Sequence, residues 1–306
     1  MTKVQVLLST FNGEKYLEKQ IESLISQKDL DINIFIRDDG SSDNTINILS
    51  ALADRYSNQI NISFGSNVGV VASYFELLRQ APEADFFSFS DQDDVWKTDK
   101  LKRAISFLQE VPTNIPAMYC SRTELVDKDL KHIGFWPPKP SRGASFYNAL
   151  IENIAVGCTI VINREAKNLI TRNLPNPQKV IMHDWWFYLC IAAFGQVIYD
   201  PYPSLLYRQH DFNVVGGVIE SHKKWIKRWR SFRSNHRKYS IRRQAEEFYK
   251  IFGGSLPISF KKTIENFLSI NDSFLKRFNY IIHTNLYRQN SIDNMLFKLL
   301  YLMNKI

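Results

Sequence analysis

Asp85-Phe86-Phe87-Ser88-Phe89-Ser90-Asp91-Gln92-Asp93-Asp94-Val95-Trp96 is an apolar, aromatic run that breaks abruptly into three carboxylates. The run suits a buried strand, and carboxylates at a strand's exit are placed to hold a hard divalent cation against a diphosphate. A cap for the helix expected near Thr98 needs only one of Asp91, Asp93 and Asp94. Three packed together repel unless a cation or a basic group compensates. The cluster is therefore read first as a metal or nucleotide site and second as a solvated acidic turn.

Upstream of it the chain alternates strand and helix. Lys3 to Leu8 is strand-like, and Leu17, Ile21, Leu24 and Ile25 then line one helical face. Ile32 to Ile36 is a second strand ending at Arg37-Asp38-Asp39-Gly40. Ser41, Ser42 and Asp43 offer cap oxygens for a helix carrying Ile46, Leu49, Leu52 and Tyr56. Ile60 to Phe64, the turn Asn67-Val68-Gly69 and the stripe Val71, Tyr74, Phe75, Leu78 repeat the rhythm. Such alternation predicts a mostly parallel sheet covered by helices on both faces, with ligands at the carboxyl ends of its strands. Ser9-Thr10-Phe11-Asn12, Asp38-Asp39 and Asp91 to Asp94 fall at three such ends and so converge on one crevice, where the segment Asp38 to Asp43 either forms only a turn and a cap or offers a carboxylate to the imide N–H of a pyrimidine base.

Downstream, Gly134 to Gly143 contains three prolines and is expected to be a loop beside the site. Val156 to Ile162 reads as a strand, His183 to Phe194 as a buried helix, and Ser204 to Tyr207 as a short strand. Asp184 opens that helix between His183, Trp185 and Trp186. Either it satisfies the helix dipole, which together with the amides holds its pKa down, or it accepts a proton from a sugar hydroxyl while the tryptophans stack on pyranose rings. His210, in Tyr207-Arg208-Gln209-His210, is either a structural histidine or, with Arg208, a contact for diphosphate or metal.

The 306 residues are 44% hydrophobic and carry a net charge of +8, which points to an anionic partner. Cys120, Cys158 and Cys190 are widely spaced among apolar neighbours and are expected to be reduced structural thiols in a reducing cytoplasm. No signal-peptide pattern and no run of 18 apolar residues is found, so neither export nor a membrane span is expected. The character changes after about residue 215. His222 to Arg243 holds no acid and places Trp225, Trp229 and Phe232 on one helical face, while Ile292, Met295, Leu296, Leu299, Leu300 and Met303 form another stripe. Cations among tryptophans favour an anionic membrane surface. Nucleic acid is not expected, for want of a zinc-finger, RNA-recognition or oligonucleotide-barrel signature.

Val6-Leu7-Leu8-Ser9-Thr10-Phe11-Asn12-Gly13-Glu14-Lys15-Tyr16-Leu17, Arg37-Asp38-Asp39-Gly40-Ser41-Ser42-Asp43, Asn67-Val68-Gly69 and Ser90-Asp91-Gln92-Asp93-Asp94, in that order, resemble the family 2 glycosyltransferases of GT-A fold. With His183-Asp184-Trp185-Trp186 and Tyr207 to Gly216, the chain is most similar to bacterial rhamnosyltransferases of surface polysaccharide synthesis. The resemblance covers about the first 215 residues and implies an α/β GT-A catalytic domain over 1–215, while the composition of 216–306 is that of a helical, basic, membrane-associating region. It implies an inverting, metal-dependent enzyme with Mg²⁺ or Mn²⁺ as cofactor, lying on the cytoplasmic face of the cell membrane. The expected partners are dTDP-rhamnose as donor and a lipid-linked saccharide as acceptor, and an oligomer is compatible with the sequence.

On the matching positions, Ser9, Thr10, Phe11, Asp38, Asp39, Asn67, Gly69, Asp91 and Arg208 would bind the nucleotide sugar. Asp91, Asp93 and His210 would hold the metal, Asp184 would be the general base, and Trp136, Trp185 and Trp186 would face the acceptor. Phe11 stands where the family usually has tyrosine, Ser9 where proline is common, and the arginine often found after Asn-x-Gly is missing. The alternative is a non-catalytic nucleotide-sugar-binding or scaffold subunit at the membrane. A nucleotidyltransferase lacks its glycine-rich, basic signature here, and a dehydrogenase its Gly-x-Gly-x-x-Gly.

Overall fold

In the computed structural model, residues 1–210, 240–269 and 273–305 are described. The alternating segment forms β1 (Lys3–Thr10), α1 (Leu17–Ile25), β2 (Asp31–Asp38), α2 (Thr45–Arg55), β3 (Ile60–Phe64), α3 (Val70–Gln80) and β4 (Phe86–Ser90). β1 pairs in parallel with both β2 and β4, and β2 with β3, so the ends of β1, β2 and β4 lie side by side.

The sheet continues through β5 (Val95–Trp96), β6 (Ala117–Val126), β7 (His132–Trp136), β8 (Val161–Asn163) and β9 (Gln196–Arg208). Its order is β3-β2-β1-β4-β8-β6-β9-β5, with β7 beside β6. β9 runs parallel to β6 and antiparallel to β5, which carries Arg208 to the cluster that follows β4. The helices between are α4 (Lys100–Leu108), α5 (Phe146–Ala149), α6 (Arg164–Thr171) and α7 (His183–Phe194), followed by α8 (Ser240–Phe252), α9 (Ile258–Ser269), α10 (Phe274–His283) and α11 (Ser291–Leu302).

Side chains of a strand alternate between faces, and β1 shows the result. Val4, Val6 and Leu8 pack with α1, α2 and α4, whereas Leu7 packs with α3, α7 and the C-terminal helices. On that second face Phe248, Phe252, Ile264, Phe267, Phe297 and Tyr301 join Phe187 and Trp186 in one buried cluster. No helix among the described residues is long and apolar enough to cross a membrane.

Three expectations are corrected. The segment 156–162 is not all strand: Gly157–Thr159 is a 3-10 turn and only Val161–Asn163 extends. The turn is fixed by the Thr159 hydroxyl donating to Val156 O, and by Gly157, where a Cβ would stand 3.1 Å from His183 Nε2. Gly134 to Trp136 lies in β7 opposite β6, so the prolines end regular structure only from Pro137. The strand expected at Ser204 to Tyr207 is the end of a 13-residue strand, broken for a sequence reader by Pro201 and Pro203, where the register with β6 shifts. Of the basic segment at 222–243, residues 222–239 lie outside the described residues.

Candidate active site

The ends of β1, β2 and β4 are tied together by side chains. Gln92 Oε1 accepts from Thr10 Oγ1 at 2.6 Å and from Phe11 N at 2.9 Å, while its Nε2 donates to Phe11 O. A Cβ at Gly13 would stand 2.5 Å from Gln92 Oε1, so a side chain there would displace this link. Ser9 Oγ meets Ser73 Oγ at 2.7 Å. With Ser9 and Thr10 engaged, the 44% exposed ring of Phe11 is what the end of β1 offers to a ligand.

At the end of β2, Asp38 accepts from Gly40 N, Ser41 N and Ser41 Oγ, a set of bonds that holds a turn. Gly40 takes φ +83°, which favours glycine. Asp39 is buried, paired with Arg37 Nη1 at 2.5 Å, and accepts from Val68 N and Gly69 N. The side chain of Asn67 also accepts from Gly69 N. A carboxylate has about four lone-pair sites, and Arg37, Val68 N bridging both oxygens and Gly69 N together use four.

The carboxylates after β4 separate into two groups. Asp91, Asp94 and Cys158 bring ligand atoms within 4.8 Å of one another. Asp93 instead meets His210 Nε2 at 2.7 Å, and His210 stacks on Tyr16. Asp91, Asp93 and His210 thus do not form the single expected trio. Burial and then the neighbouring charge of Asp93 push the Asp91 carboxyl up to about 6, although Tyr74 Oη donates to it at 2.8 Å. Burial and the same crowding also raise the Asp94 carboxyl well above its ordinary value. Its Oδ1 accepts from Arg208 N, and its Oδ2 is buried beside the weakly donating Cys158 thiol without a full hydrogen bond.

A buried lysine adjoins the cluster. Lys100 is fully buried, donates to Ser88 Oγ at 3.1 Å and sits 3.4 Å from the centre of the Trp96 ring. Burial lowers its ammonium to about 7 while Cys158 and Asp94 pull it back up. Arg208 is buried too, with Nε donating to Asp93 O and Nη1 to Lys128 O, bonds that brace the cluster.

Asp184 opens α7 beside the Gly157–Thr159 turn, where a Cβ at Gly157 would stand 3.6 Å from its Oδ2. The same turn carries Cys158, so it joins the candidate base to the carboxylate cluster. Tyr74 makes a second link, donating to Asp91 and stacking on His183 at 4.0 Å. The expectation that dipole and amides depress the Asp184 carboxyl is corrected. Burial raises it to about 7, and bonds from Trp185 N–H, Asn153 and Gly157 N–H offset this only in part. His183 is buried with neither ring nitrogen hydrogen-bonded, and burial lowers it to about 3.

Of the three tryptophans expected to face an acceptor, Trp186 is corrected. It is 0% exposed and packs edge-on against Phe248, so it has no face for a sugar. Trp185 is half-buried with Nε1 donating to Ala149 O at 2.6 Å, and Trp136 is half-buried beside Tyr207. Gln92, Tyr74, Cys158 and Lys100 were not singled out as site residues in the sequence. Gln92 lay inside the acidic motif and Tyr74 on an apolar stripe, where each looked like spacing or core.

A model of the glycosyl transferase family 2 matches residues 5–169. The dTDP-rhamnosyl transferase RfbG of Shigella flexneri is 35% identical over 233 residues, covering 71% of this chain and 76% of that protein. Among solved structures, S. aureus TarS 1–349 in complex with UDP-GlcNAc superimposes with a TM-score of 0.59 at 17% identity, covering 93% of this chain and 76% of that one. The mannosyltransferase PcManGT of Pyrobaculum calidifontis, in complex with GDP-Man and Mn²⁺, does so with a TM-score of 0.53 at 14% identity, covering 99% and 86%. At these identities the two structures speak for the fold.

Proposed function

The chain belongs to glycosyltransferase family 2, and from that premise and the geometry of the crevice we propose that it transfers L-rhamnose, with inversion, from dTDP-rhamnose to a hydroxyl of a lipid-linked saccharide in cell-surface polysaccharide synthesis. The observation that carries the reading is the convergence of Asp184 with the Asp91 cluster across the Gly157–Thr159 turn. The choice of sugar leans on the similarity to the Shigella flexneri protein.

In this reading the exposed ring of Phe11 stacks on the base, with Asn67 and Gly69 beside it. The Gln92 bonds keep the ends of β1 and β4 at a fixed separation, so that the nucleoside and the diphosphate are held together. Asp184 accepts the proton of the acceptor hydroxyl as that oxygen attacks the anomeric carbon on the face opposite the leaving diphosphate. A carboxyl raised to about 7 is a stronger base than an ordinary one and still ionises near neutral pH. Trp185 and Trp136 border the acceptor.

The crowded oxygens of Asp91 and Asp94, with the Asp93–His210 pair as a neighbouring charge, fit a hard divalent cation such as Mg²⁺ or Mn²⁺, because charges that repel one another and a buried oxygen without a full hydrogen bond are both relieved by a cation. When bound, such an ion supplies positive charge to the diphosphate. We read 1–215 as the catalytic domain and 216–306 as the region that holds the enzyme on the cytoplasmic face of the membrane.

The test is release of nucleoside diphosphate from a panel of nucleotide sugars, with and without divalent cation and a membrane extract. Cation-dependent release from dTDP-rhamnose is the expected result. Turnover of another donor alone would reassign the sugar, and no turnover of any donor with the extract present would favour a binding subunit.

A further inference from the structure

α10 and α11 pack against each other, with Arg277 Nε donating to Leu302 O and Tyr280 beside Tyr301. Each nevertheless leaves apolar side chains in water. Phe274, Leu275, Phe278 and Ile282 on α10, and Ile292, Met295 and Leu299 on α11 with Met303 at its C-cap, are between 48% and 76% exposed. At 100° per residue each set falls within one side of its helix, while Ile281 and Phe297 point to the core. A lone exposed leucine is ordinary, but eight large apolar side chains on two neighbouring helices are an interaction surface.

The charges around it select the partner. From Ser273 to Lys305 there are five lysines and arginines against a single acid, Asp293. Between α9 and α10 lies a groove of about 450 Å³ lined by Lys262, Lys276 and His283 and by the amides of Asn266, Asn279 and Asn285. Cations and amide N–H groups are what a phosphate headgroup needs, and the side of α10 that carries Lys276, Asn279 and His283 borders, about a third of the way round the helix, the side that carries Phe278 and Ile282, which suit acyl chains. A second copy of the same surface would set like charge against like charge.

We propose that the α10–α11 face docks on an anionic phospholipid surface, with lipid headgroup phosphate in the Lys262–Lys276–His283 groove and the Leu275, Phe278, Ile282 and Leu299 side chains in the interface. This rests on the reading that the acceptor is lipid-linked, and it names the part of the chain that brings the crevice to it.

The experiment is co-sedimentation of the full chain with phosphatidylglycerol-containing and with pure phosphatidylcholine vesicles. The variants are the pair Leu275→Asp with Ile282→Asp and the pair Lys262→Glu with Lys276→Glu. All four positions are exposed, and a thermal melt checks the fold. Binding to the anionic vesicles alone is expected, reduced roughly tenfold by either pair and by high salt. Wild-type binding by both variants, or no vesicle binding by the native chain, overturns the proposal. So does a lipid-free dimer that the Asp pair dissociates, which would assign the face to a second copy. Donor turnover is read on the same samples, so loss of docking with turnover intact, or the reverse, separates the failure of this inference from that of the enzymatic reading.

Discussion

At the strand ends Asp94 is a carboxylate taken out of water and Asp91 and Asp184 are carboxylates partly withdrawn from it, whereas on α10 and α11 Leu275, Ile282 and Leu299 are hydrocarbons left in it. Both arrangements cost stability if each region is considered alone, since buried charge and exposed apolar surface are each unfavourable. The crevice is tolerated because Lys100, Arg208 and the Gln92 bonds brace it from within. The helices are tolerated because Ile281, at the edge of the exposed side of α10, and Phe297, on the far side of α11, are anchored in the core. In the proposed reading, departures from ordinary burial mark where each region meets something outside the chain: a charged small molecule in one case, a surface in the other.

The sharpest break of that contrast is Asp184→Asn. Removing the proton acceptor should lower the transfer rate roughly 10³-fold with donor affinity unchanged; a variant that stays folded but no longer binds donor would reassign Asp184. The native enzyme should show an acid limb, with kcat/KM rising as pH is raised through about 7 because the ionised carboxylate is the base. The stability sign is opposite. A carboxyl raised in the fold from its ordinary 3.8 holds its proton more tightly there than in the unfolded chain, so its contribution is present at low pH and is lost as pH rises from about 4 to about 7. Melting of the donor-free protein across that range should fall, and less steeply in Asp184→Asn.

Phe248→Ala should follow, at about 3–5 kcal/mol of stability. Phe248 is fully buried between Trp186, Phe146 and Phe252, so the loss tests whether α8 and the strands melt together. Two separated transitions in calorimetry would show that the C-terminal helices have a core of their own.

The sequence revealed one of these regions more readily than the other. The β-α units up to β4 were legible because Leu17, Ile21 and Leu24, or Val71, Tyr74 and Leu78, repeat at helical spacing between short apolar runs. α7 was legible to both its ends. What lay beyond periodicity was tertiary. The Gly157–Thr159 turn is apolar like a strand, and only the approach of His183 explains its glycine. Trp186 and Trp185 are adjacent in sequence, but only packing against Phe248 separates the buried ring from the half-exposed one. The direction of the Asp184 shift depends on how much protein surrounds the carboxyl, which spacing does not encode. Gln92 was hidden among acids because its partners, Thr10 and Phe11, are some eighty residues away.

Gln92→Ala probes that hidden link at smaller magnitude. The hydroxyl of buried Thr10 and Phe11 N lose an acceptor, worth about 1–2 kcal/mol. The expected readout is a KM for donor raised about tenfold with kcat little changed. An equal fall in kcat with constant KM would mean that Gln92 acts on the reacting centre instead.

The smallest effect should come from Ile292→Ser on α11, set against Phe297→Ala five residues along the same helix. Ile292 is 53% exposed and Phe297 1%. Truncating Phe297 empties core volume and should cost about 3–5 kcal/mol, whereas the serine should change stability by less than about 0.5 kcal/mol. If Ile292→Ser destabilised the isolated chain as much as Phe297→Ala, Ile292 would be covered in solution, and the contrast between a buried-charge crevice and an exposed apolar face would collapse on its second side. Equal stability with weakened vesicle binding is the outcome the contrast requires, because a side chain that contributes nothing to the fold contributes only where a partner takes it out of water.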